Sequence, residues 1–244
     1  MTDVPVSHPR YTSLRLRDAI VSGVDNGITS SHGLIAHGRG EAFDYLLGEQ
    51  THAFASQAIR AAAARLRTAT HPVLSVNGNT AALVAEDIVR LSRAVPAPIE
   101  VNIFHASQER ERAIAEHLKQ AGAETVLLPD PQVVLDDIDS NRRFVHPEGL
   151  ARADVVFVPL EDGDRCEALV RAGRQVITVD LNPLSRTAQK ATITIVDNVT
   201  RAIPVLVAEV EAIAETPRDD LLAVVEQCDN AAILSTAIQR IRAG

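Results

Sequence analysis

A chain of 244 residues, 46% hydrophobic and 23% charged, is long enough to fill one globular core. A net charge of −8 with only 3% aromatic residues argues against a nucleic-acid binder, which ordinarily carries a basic face with stacking rings. No apolar run approaches the roughly 20 residues of a membrane helix, the N-terminus has no signal-like stretch, and Cys166 and Cys228 are too isolated for a disulfide framework or zinc cluster. The expectation is a cytoplasmic protein.

Residues 1–70 read as a mostly helical N-terminal region, with helical spacing over Tyr11 to Val24 and Glu41 to Leu47. Thr51 to Leu66 is Ala-rich and free of Pro and Gly, a strong helix former. Between them lies His37-Gly38-Arg39-Gly40-Glu41, an arginine between two glycines. Glycine lets backbone N–H groups close on an anion, and an arginine fork supplies the countercharge, so this stretch reads as a loop with an anion site. It matches neither the Walker pattern, which needs Lys and Ser/Thr where Glu41-Ala42 stand, nor the dinucleotide fingerprint with its third glycine.

His71-Pro72 ends the helical region, and residues 71–213 change period. Strand-like runs at Val73–Val76, Ile99–Phe104, Thr125–Leu128, Val155–Val158, Val176–Val179 and Ile193–Val196 alternate with helical segments at Ala81–Ala94, Gln108–Ala121 and Glu167–Ala172. Such alternation predicts an α/β fold, a mostly parallel sheet with helices on both faces. Pro129 to Pro147 is expected to be a connection with a short helix; its Asp136, Asp137 and Asp139 are read as no catalytic cluster. In the tail, 214–244, Thr216 is the expected N-cap with Pro217 at the first helical position. Leu234, Ala237, Ile238 and Ile241 then form an apolar stripe for packing or dimerisation. The three segments are expected to make one compact domain.

Five of the strand-like runs lead into polar residues: Asn77-Gly-Asn-Thr80, Asn102 to His105, Glu161-Asp-Gly-Asp-Arg165, Asp180 to Thr187, and Asp197-Asn198. In a parallel sheet these ends share one rim, where open α/β folds bind ligands. Each has two readings. Asn77 and Asn79 fit a phosphate or carboxylate at a helix start, or plain N-capping by Asn79 or Thr80. Glu161 and Asp162 fit Mg²⁺ or an ammonium group, or a solvated capping turn. Asp180 fits a ribose hydroxyl, with Arg186 and Thr187 on phosphate, or a Pro turn with capping. His37 and His105 fit acid–base groups, or lone histidines that only pack or hydrogen-bond, and no general base is named. Cys166 lies among acids, which disfavours a reactive thiol.

Six ordered segments resemble a known family: Ser7-His-Pro-Arg-Tyr-x-Ser-Leu-x-x-Arg17, Gly33 to Glu49, Ser75-Val-Asn-Gly-Asn79, Val158-Pro-Leu-Glu-Asp-Gly-Asp-Arg165, Asp180-Leu-Asn-Pro-Leu-Ser-Arg186 and Ile195-Val-Asp-Asn198. They resemble the archaeal phosphopantothenate synthetases (4-phosphopantoate–β-alanine ligases), with the tail after about residue 213 expected to fall outside the resemblance. The resemblance implies a Rossmann-like fold, a homodimer, a Mg²⁺ requirement and one reaction. In it ATP, 4-phosphopantoate and β-alanine give AMP, diphosphate and 4′-phosphopantothenate, an early step of coenzyme A synthesis. It places the nucleotide on Arg17, Arg39, Asp180, Leu181, Asn182, Arg186, Thr187, Asn198 and Val199, with Thr187 where some members have serine.

On that basis an acyl-adenylate route is expected, with Arg39, Asn77 and Glu161 as candidate catalytic residues and Asn77 and Asn79 as candidates for the pantoate or its phosphate. Two rivals use the same rim. A dinucleotide-dependent oxidoreductase would need a Gly-rich turn longer than Asn77-Gly-Asn, and a nucleotide-sensing module would bind ATP without turnover.

Overall fold

The computed structural model describes residues 4–135, 138 and 140–244. Three helices come first: α1 (Tyr11–Asp25), α2 (Ser31–Leu47) and α3 (Ala53–Thr68). Then follow β1 (Pro72–Val76), α4 (Gly78–Ala94), β2 (Ile99–Val101), α5 (Gln108–Gln120) and β3 (Val126–Leu127). A small antiparallel pair, β4 (Asp130–Val134) and β5 (Phe144–Val145), leaves the main sheet, with a 3-10 turn at Asn141–Arg143 before β5. The chain returns through β6 (Val155–Phe157), α6 (Gly163–Arg171), β7 (Gln175–Val179), α7 (Arg186–Lys190) and β8 (Ile193–Ile195). It ends in α8 (Val199–Ala212), α9 (Arg218–Glu226) and α10 (Asn230–Ala243).

The main sheet has the order β3-β2-β1-β6-β7-β8, and every neighbouring pair is parallel. The chain lays strands outward from β1 in one direction, then outward from β6 in the other. The reversal between β1 and β6 is a topological switch point, and the crevice beyond its strand ends is where such folds take ligands. Period-two burial builds the two faces. Leu74, Val76, Phe157, Ile177 and Val179 enter one core with α3, α4 and α8, while Val73, Val156, Val158 and Val176 enter a second core with Cys166 and Leu169 of α6. The expected α/β architecture with an N-terminal helical region is therefore present. The larger core also takes in Leu47, Phe54, Ile233 and Leu234, so the helical region and the tail pack on the sheet-forming part.

Several local expectations need correction. Gly38-Arg39-Gly40 is not a loop but lies inside α2, so its amides belong to the helical ladder and cannot close on an anion. Glycine costs a helix interior about 1 kcal/mol each, so α2 depends on tertiary anchors described below. The 129–147 connection carries β4 and β5 besides its short helix; Asp136, Asp137 and Asp139 lie outside the described residues. β2 ends at Val101, earlier than expected, and Thr216 caps nothing because α9 begins at Arg218 with Pro217 as its N-cap residue. Asn77, rather than Asn79 or Thr80, caps α4, its Oδ1 accepting from the Thr80 amide at 3.0 Å. Among the described residues no single helix is long and apolar enough to cross a membrane; α9 and α10 reach that length only as a pair bent by 54°.

Candidate active site

A cleft of roughly 300 Å³ opens at the switch point. Its floor comes from the β1 and β6 ends (Asn77, Gly78, Leu160, Asp162), and its walls from Ile103 to His105 beyond β2 and from Leu181, Asn198 and Val199 beyond β7 and β8. Its roof is α2, through His32, Gly33, Ala36, His37, Arg39, Gly40 and Glu41.

Two anchors hold this roof. At its N-terminal end the Asn79 side chain donates to Gly33 O at 3.0 Å and accepts from Thr29 Oγ1 at 2.5 Å. A Cβ on Gly33 would collide with Asn79 Oδ1 and Thr29 Oγ1, so glycine is required there. At its C-terminal end Asp44 receives Arg201 Nη2 at 2.5 Å, Arg201 Nη1 at 3.1 Å and Asn198 Nδ2 at 2.9 Å. The spacings agree. Gly33 to Asp44 spans about 16 Å of helix at 1.5 Å per residue, and three strand intervals from β1 to β8 span about 14 Å. Thus α2 is a strap laid across the rim, from the β1 end to the β8 end.

At the β7–β8 end the resemblance-derived residues gather, but in different states. Leu181 lines the cleft beneath Gly40. Asn198 and Val199 line it too, while Asn198 also caps α8 through the Thr200 amide at 3.1 Å. Arg39 lines the cleft and makes no ion pair among the described residues. Asp180 is a turn-former: it accepts from the Asn182 amide at 2.9 Å and from Ser185 Oγ at 2.5 Å. Burial raises its pKa, opposed by those two hydrogen bonds and by the charge of Arg39. Asn182 continues the turn by accepting from the Leu184 amide at 2.9 Å.

Arg17, Arg186 and Thr187 do not line the cleft. Arg17 grips Glu41 from α1 at 2.7 Å. Burial alone would raise the Glu41 carboxyl, but hydrogen bonds from Arg17 and Tyr45 outweigh it and hold the pKa low. Arg186 points outward to Asp164 and to Glu167, the latter at 2.5 Å. The Thr187 hydroxyl donates to Glu161 O at 2.7 Å.

Asn77, Asn79 and Asp162, at the β1 and β6 ends, line the cleft, with side chains engaged within the chain. Asn77 Nδ2 donates to Pro159 O at 2.9 Å and Leu160 O at 3.1 Å, stapling the switch point shut beneath the cleft. Leu160 is held at φ 56°, a left-handed conformation costly for a side chain that branches into the cleft. Glu161 is corrected as a ligand-binding candidate. Its side chain has no exposed surface and is paired with both Arg142 and Arg165, so neither an ammonium group nor a metal ion can reach it. Asp162 does line the cleft, paired with Arg142 at 2.9 Å.

Sequence reasoning missed Arg142, which arrives from the connection between β4 and β5, and Arg110 of α5; no motif marks either. It also missed the Asp44–Arg201 anchor, whose partners lie 157 residues apart. Of the histidines, His37 lines the cleft, and burial lowers its pKa, so it stands there as a neutral imidazole near neutral pH. Burial pushes the Cys166 thiol up to about 12, which removes it as a nucleophile.

Known proteins resemble this chain over nearly its whole length. Residues 54–244 match the family model described as phosphopantothenate/pantothenate synthetase. A "4-phosphopantoate--beta-alanine ligase" of Thermococcus kodakarensis is 49% identical over 99% of this chain and 93% of its own length. The protein of that name from Methanosarcina mazei is also 49% identical, over 99% and 95%. A third, from Methanospirillum hungatei, is 45% identical over 98% and 96%. The tail, expected to fall outside the resemblance, lies within the family match.

Proposed function

This chain belongs to the phosphopantothenate/pantothenate synthetase family, and we propose that it joins 4-phosphopantoate to β-alanine with cleavage of ATP to AMP and diphosphate. The product is 4′-phosphopantothenate, within coenzyme A biosynthesis. The observation that carries this reading is similarity at 45–49% identity along nearly the whole chain, strap and cleft included.

The reaction is read as two steps. The 4-phosphopantoate carboxylate attacks the α-phosphorus of ATP, diphosphate leaves, and a mixed acyl–phosphate anhydride forms. The neutral amine of β-alanine then attacks the acyl carbon, and AMP leaves with the anhydride electrons. This chemistry depends on alignment and charge neutralisation. Arg39, open to the cleft, binds phosphate oxygens. Leu181 and Val199 give the nucleotide an apolar wall at the β7–β8 end, with Asn198 beside them. Asp180 and Asn182 shape the turn that carries Leu181, and Arg17 fixes Glu41 in the strap. Arg186 and Thr187 stand beside this turn, their side chains occupied elsewhere, so their contribution to the nucleotide is through the backbone. Asn77 lies in the floor with its side-chain amide bonded to Pro159 O and Leu160 O, and Asn79 lines the cleft with its amide bonded to Gly33 O.

Mg²⁺ enters as the companion of the nucleotide phosphates. Among the described residues no group of three or more His, Cys, Asp or Glu side chains is arranged for a metal. The carboxylates on the cleft wall, Glu41 and Asp162, are each paired with an arginine. That donor set would suit an ion that keeps most of its water, and Asp162, the more exposed of the two carboxylates, would be the residue to hold it, where it would neutralise phosphate charge. A homodimer is part of the same reading, because α1 and α2 expose Val21, Ile35, Tyr45 and Leu46 outward. A cytoplasmic location fits a reaction that consumes ATP.

Isotope transfer tests the reaction. With ¹⁸O in the 4-phosphopantoate carboxylate, one label is expected in AMP, and product should require all three substrates. Formation of ADP and orthophosphate would overturn the adenylate route, and ATP binding without product would leave a nucleotide sensor.

A further inference from the structure

The rim opposite the switch-point cleft gathers polar side chains that take no part in the cleft. β7 begins at this rim with Gln175 and ends at Val179, just before the cleft-facing turn. At about 3.3 Å per residue the two places lie about 16 Å apart along the strand. A cavity of about 380 Å³ opens here, between the last turn of α3, the start of β7 and the end of α9. Arg65, Arg174, Gln175 and Glu226 are among the residues that line it. Arg65 Nε and Gln175 Oε1 are both buried with no partner among the described residues, so an orphaned donor and an orphaned acceptor belong to one wall. Buried polar groups are ordinarily satisfied, and two exceptions in one cavity call for a guest. The Gln175 amide turns readily about its last torsion, which brings its oxygen within reach of one.

The charges here are open. Arg65 lies in the last turn of α3, where the helix dipole favours a cation but offers its guanidinium no hydrogen bond. Asp154 acts on it electrostatically, yet that carboxylate is taken up by the Thr70 and His71 amides at 2.7 and 2.8 Å and forms no ion pair with Arg65. Arg174 donates from Nε to Leu150 O and from Nη2 to Ala151 O, both at 3.2 Å. Those carbonyls orient the guanidinium without cancelling its charge. Arg218 adds a third positive charge near Arg65. The acid on the wall, Glu226, is exposed and makes no ion pair among the described residues. Burial lowers the pKa of Arg65 and of Arg174, as for cations withdrawn from water without a counter-ion.

We infer that this cavity is a second anion site, which takes inorganic hydrogen phosphate, with Arg65 and Arg174 on its oxygens and Gln175 Oε1 accepting from its P–O–H group. The site is independent of the ligase reading above. Guanidinium forks match phosphate oxygens in geometry and charge. The acceptor then narrows the class of anion. A carboxylate or sulfate carries no proton near neutral pH, and a phosphate monoester, with a second pKa of about 6, has lost its O–H above pH 7. Each of these would leave Gln175 Oε1 unpaired, at the cost of a desolvated acceptor. Inorganic phosphate keeps an O–H in both forms that it adopts near neutral pH. Bound in the cavity, it ties α3 to the start of β7 and stabilises the folded state by mass action.

Calorimetry and thermal midpoints with inorganic phosphate test the site. Arg65→Gln should weaken phosphate binding by about ten- to a hundredfold, the usual loss for a charged hydrogen bond, and abolish the rise in midpoint that phosphate gives the wild type. In phosphate-free buffer the same variant should keep its midpoint, because Arg65 gives up no hydrogen bond within the chain. Arg39→Ala, which alters the switch-point cleft, should leave this binding in place. At pH 8 the wild type should prefer phosphate to sulfate and to glycerol phosphate by about tenfold, and Gln175→Leu should remove that preference. Should Arg65→Gln fail to fold, the wild-type preference and its loss in Gln175→Leu still decide. Phosphate binding that survives Arg65→Gln but not Arg39→Ala overturns the site, since the anion would then lie in the cleft. Equal binding of sulfate overturns the acceptor role of Gln175. No binding of phosphate to the wild type overturns the inference outright, and leaves the orphaned atoms to water.

Discussion

Two groups of arginine lie within one cleft's reach and do opposite things. Beneath the β6 end, Arg142 and Arg165 close on Glu161, with Arg142 also held by Asn102 Oδ1 at 3.1 Å. All three ionic side chains are buried, and with the Asp162 carboxylate on Arg142 the two positive charges meet two negative ones. Above them Arg39 and Arg110 face the cleft and make no ion pair among the described residues. The difference teaches that a charged residue at a strand end is a ligand-binding candidate only when the fold has left its charge open. Glu161 and Arg39 look alike as charged residues of glycine-containing motifs, and their surroundings separate them.

The largest effect is expected from breaking the closed group. Glu161→Gln leaves two guanidinium groups buried against a neutral amide. Removing one partner of a buried ion pair ordinarily costs about 3–5 kcal/mol. Urea unfolding should show that loss as a lower midpoint, and activity should fall only with the folded fraction. A variant of native stability but without turnover would return Glu161 to the chemistry.

A second buried carboxylate extends the contrast, because Glu100 has no cation in contact. Its oxygens accept from the His146 amide at 3.0 Å and the Leu150 amide at 2.6 Å. Burial dominates over those bonds and raises its pKa from the ordinary 4.5 to about 7. In this window the native state binds the proton that the unfolded chain has released. This contribution to stability is full below about pH 4.5 and declines as pH rises to about 7, by on the order of 3 kcal/mol. Unfolding free energies at pH 5 and pH 8 should differ by that much more in the wild type than in Glu100→Gln. Equal differences would mean that Glu100 is ionised throughout.

The open group should respond in activity, not stability. Arg39→Ala removes a charged donor to phosphate and should lower kcat/KM for ATP about a hundredfold, about 2.7 kcal/mol of transition-state stabilisation. Because Arg39 makes no ion pair among the described residues and acts on Asp180 only through space, its thermal midpoint should fall by no more than a few degrees. Normal turnover would make Arg39 a surface residue of the strap.

This contrast also explains what was legible in the sequence. The strands and their polar ends were, because parallel strands finish on one rim and period-two burial marks both faces. The strap was not: Gly33, Gly38 and Gly40 argue for a loop, and only distant partners make the segment helical. Asn79 fixes its start, and Arg201 and Asn198 fix its end. Glu161 at a strand–helix junction reads as available. Its burial depends on Arg142, delivered by the β4–β5 excursion, whose short polar strands beginning Asp130-Pro-Gln carry little pattern. Of the two partners only Arg165, four residues on, was within local range.

Arg186 is the remaining case, and the sharpest test of the rule. It belongs to one of the segments that carry the family resemblance, yet its guanidinium points outward to Asp164 and Glu167, with 58% of the side chain exposed. By the rule drawn from Glu161 and Arg39, a neutralised arginine that faces away from the cleft contributes little to ligand binding. Exposed ion pairs are worth about 0–1 kcal/mol, so its loss should also be mild for stability. Arg186→Ala should therefore raise KM for ATP by less than about threefold, about 0.6 kcal/mol. Moving the contact to the backbone predicts a larger effect for Ser185→Pro than for Arg186→Ala. Proline removes the Ser185 hydroxyl that accepts from the Ala188 amide at 2.9 Å and from which Asp180 receives its hydrogen bond. Should Arg186→Ala match Arg39→Ala in the ATP constant, the outward ion pairs would be a resting state that the nucleotide displaces. An arginine would then have to be judged by the carboxylates it can exchange as well as by those it holds.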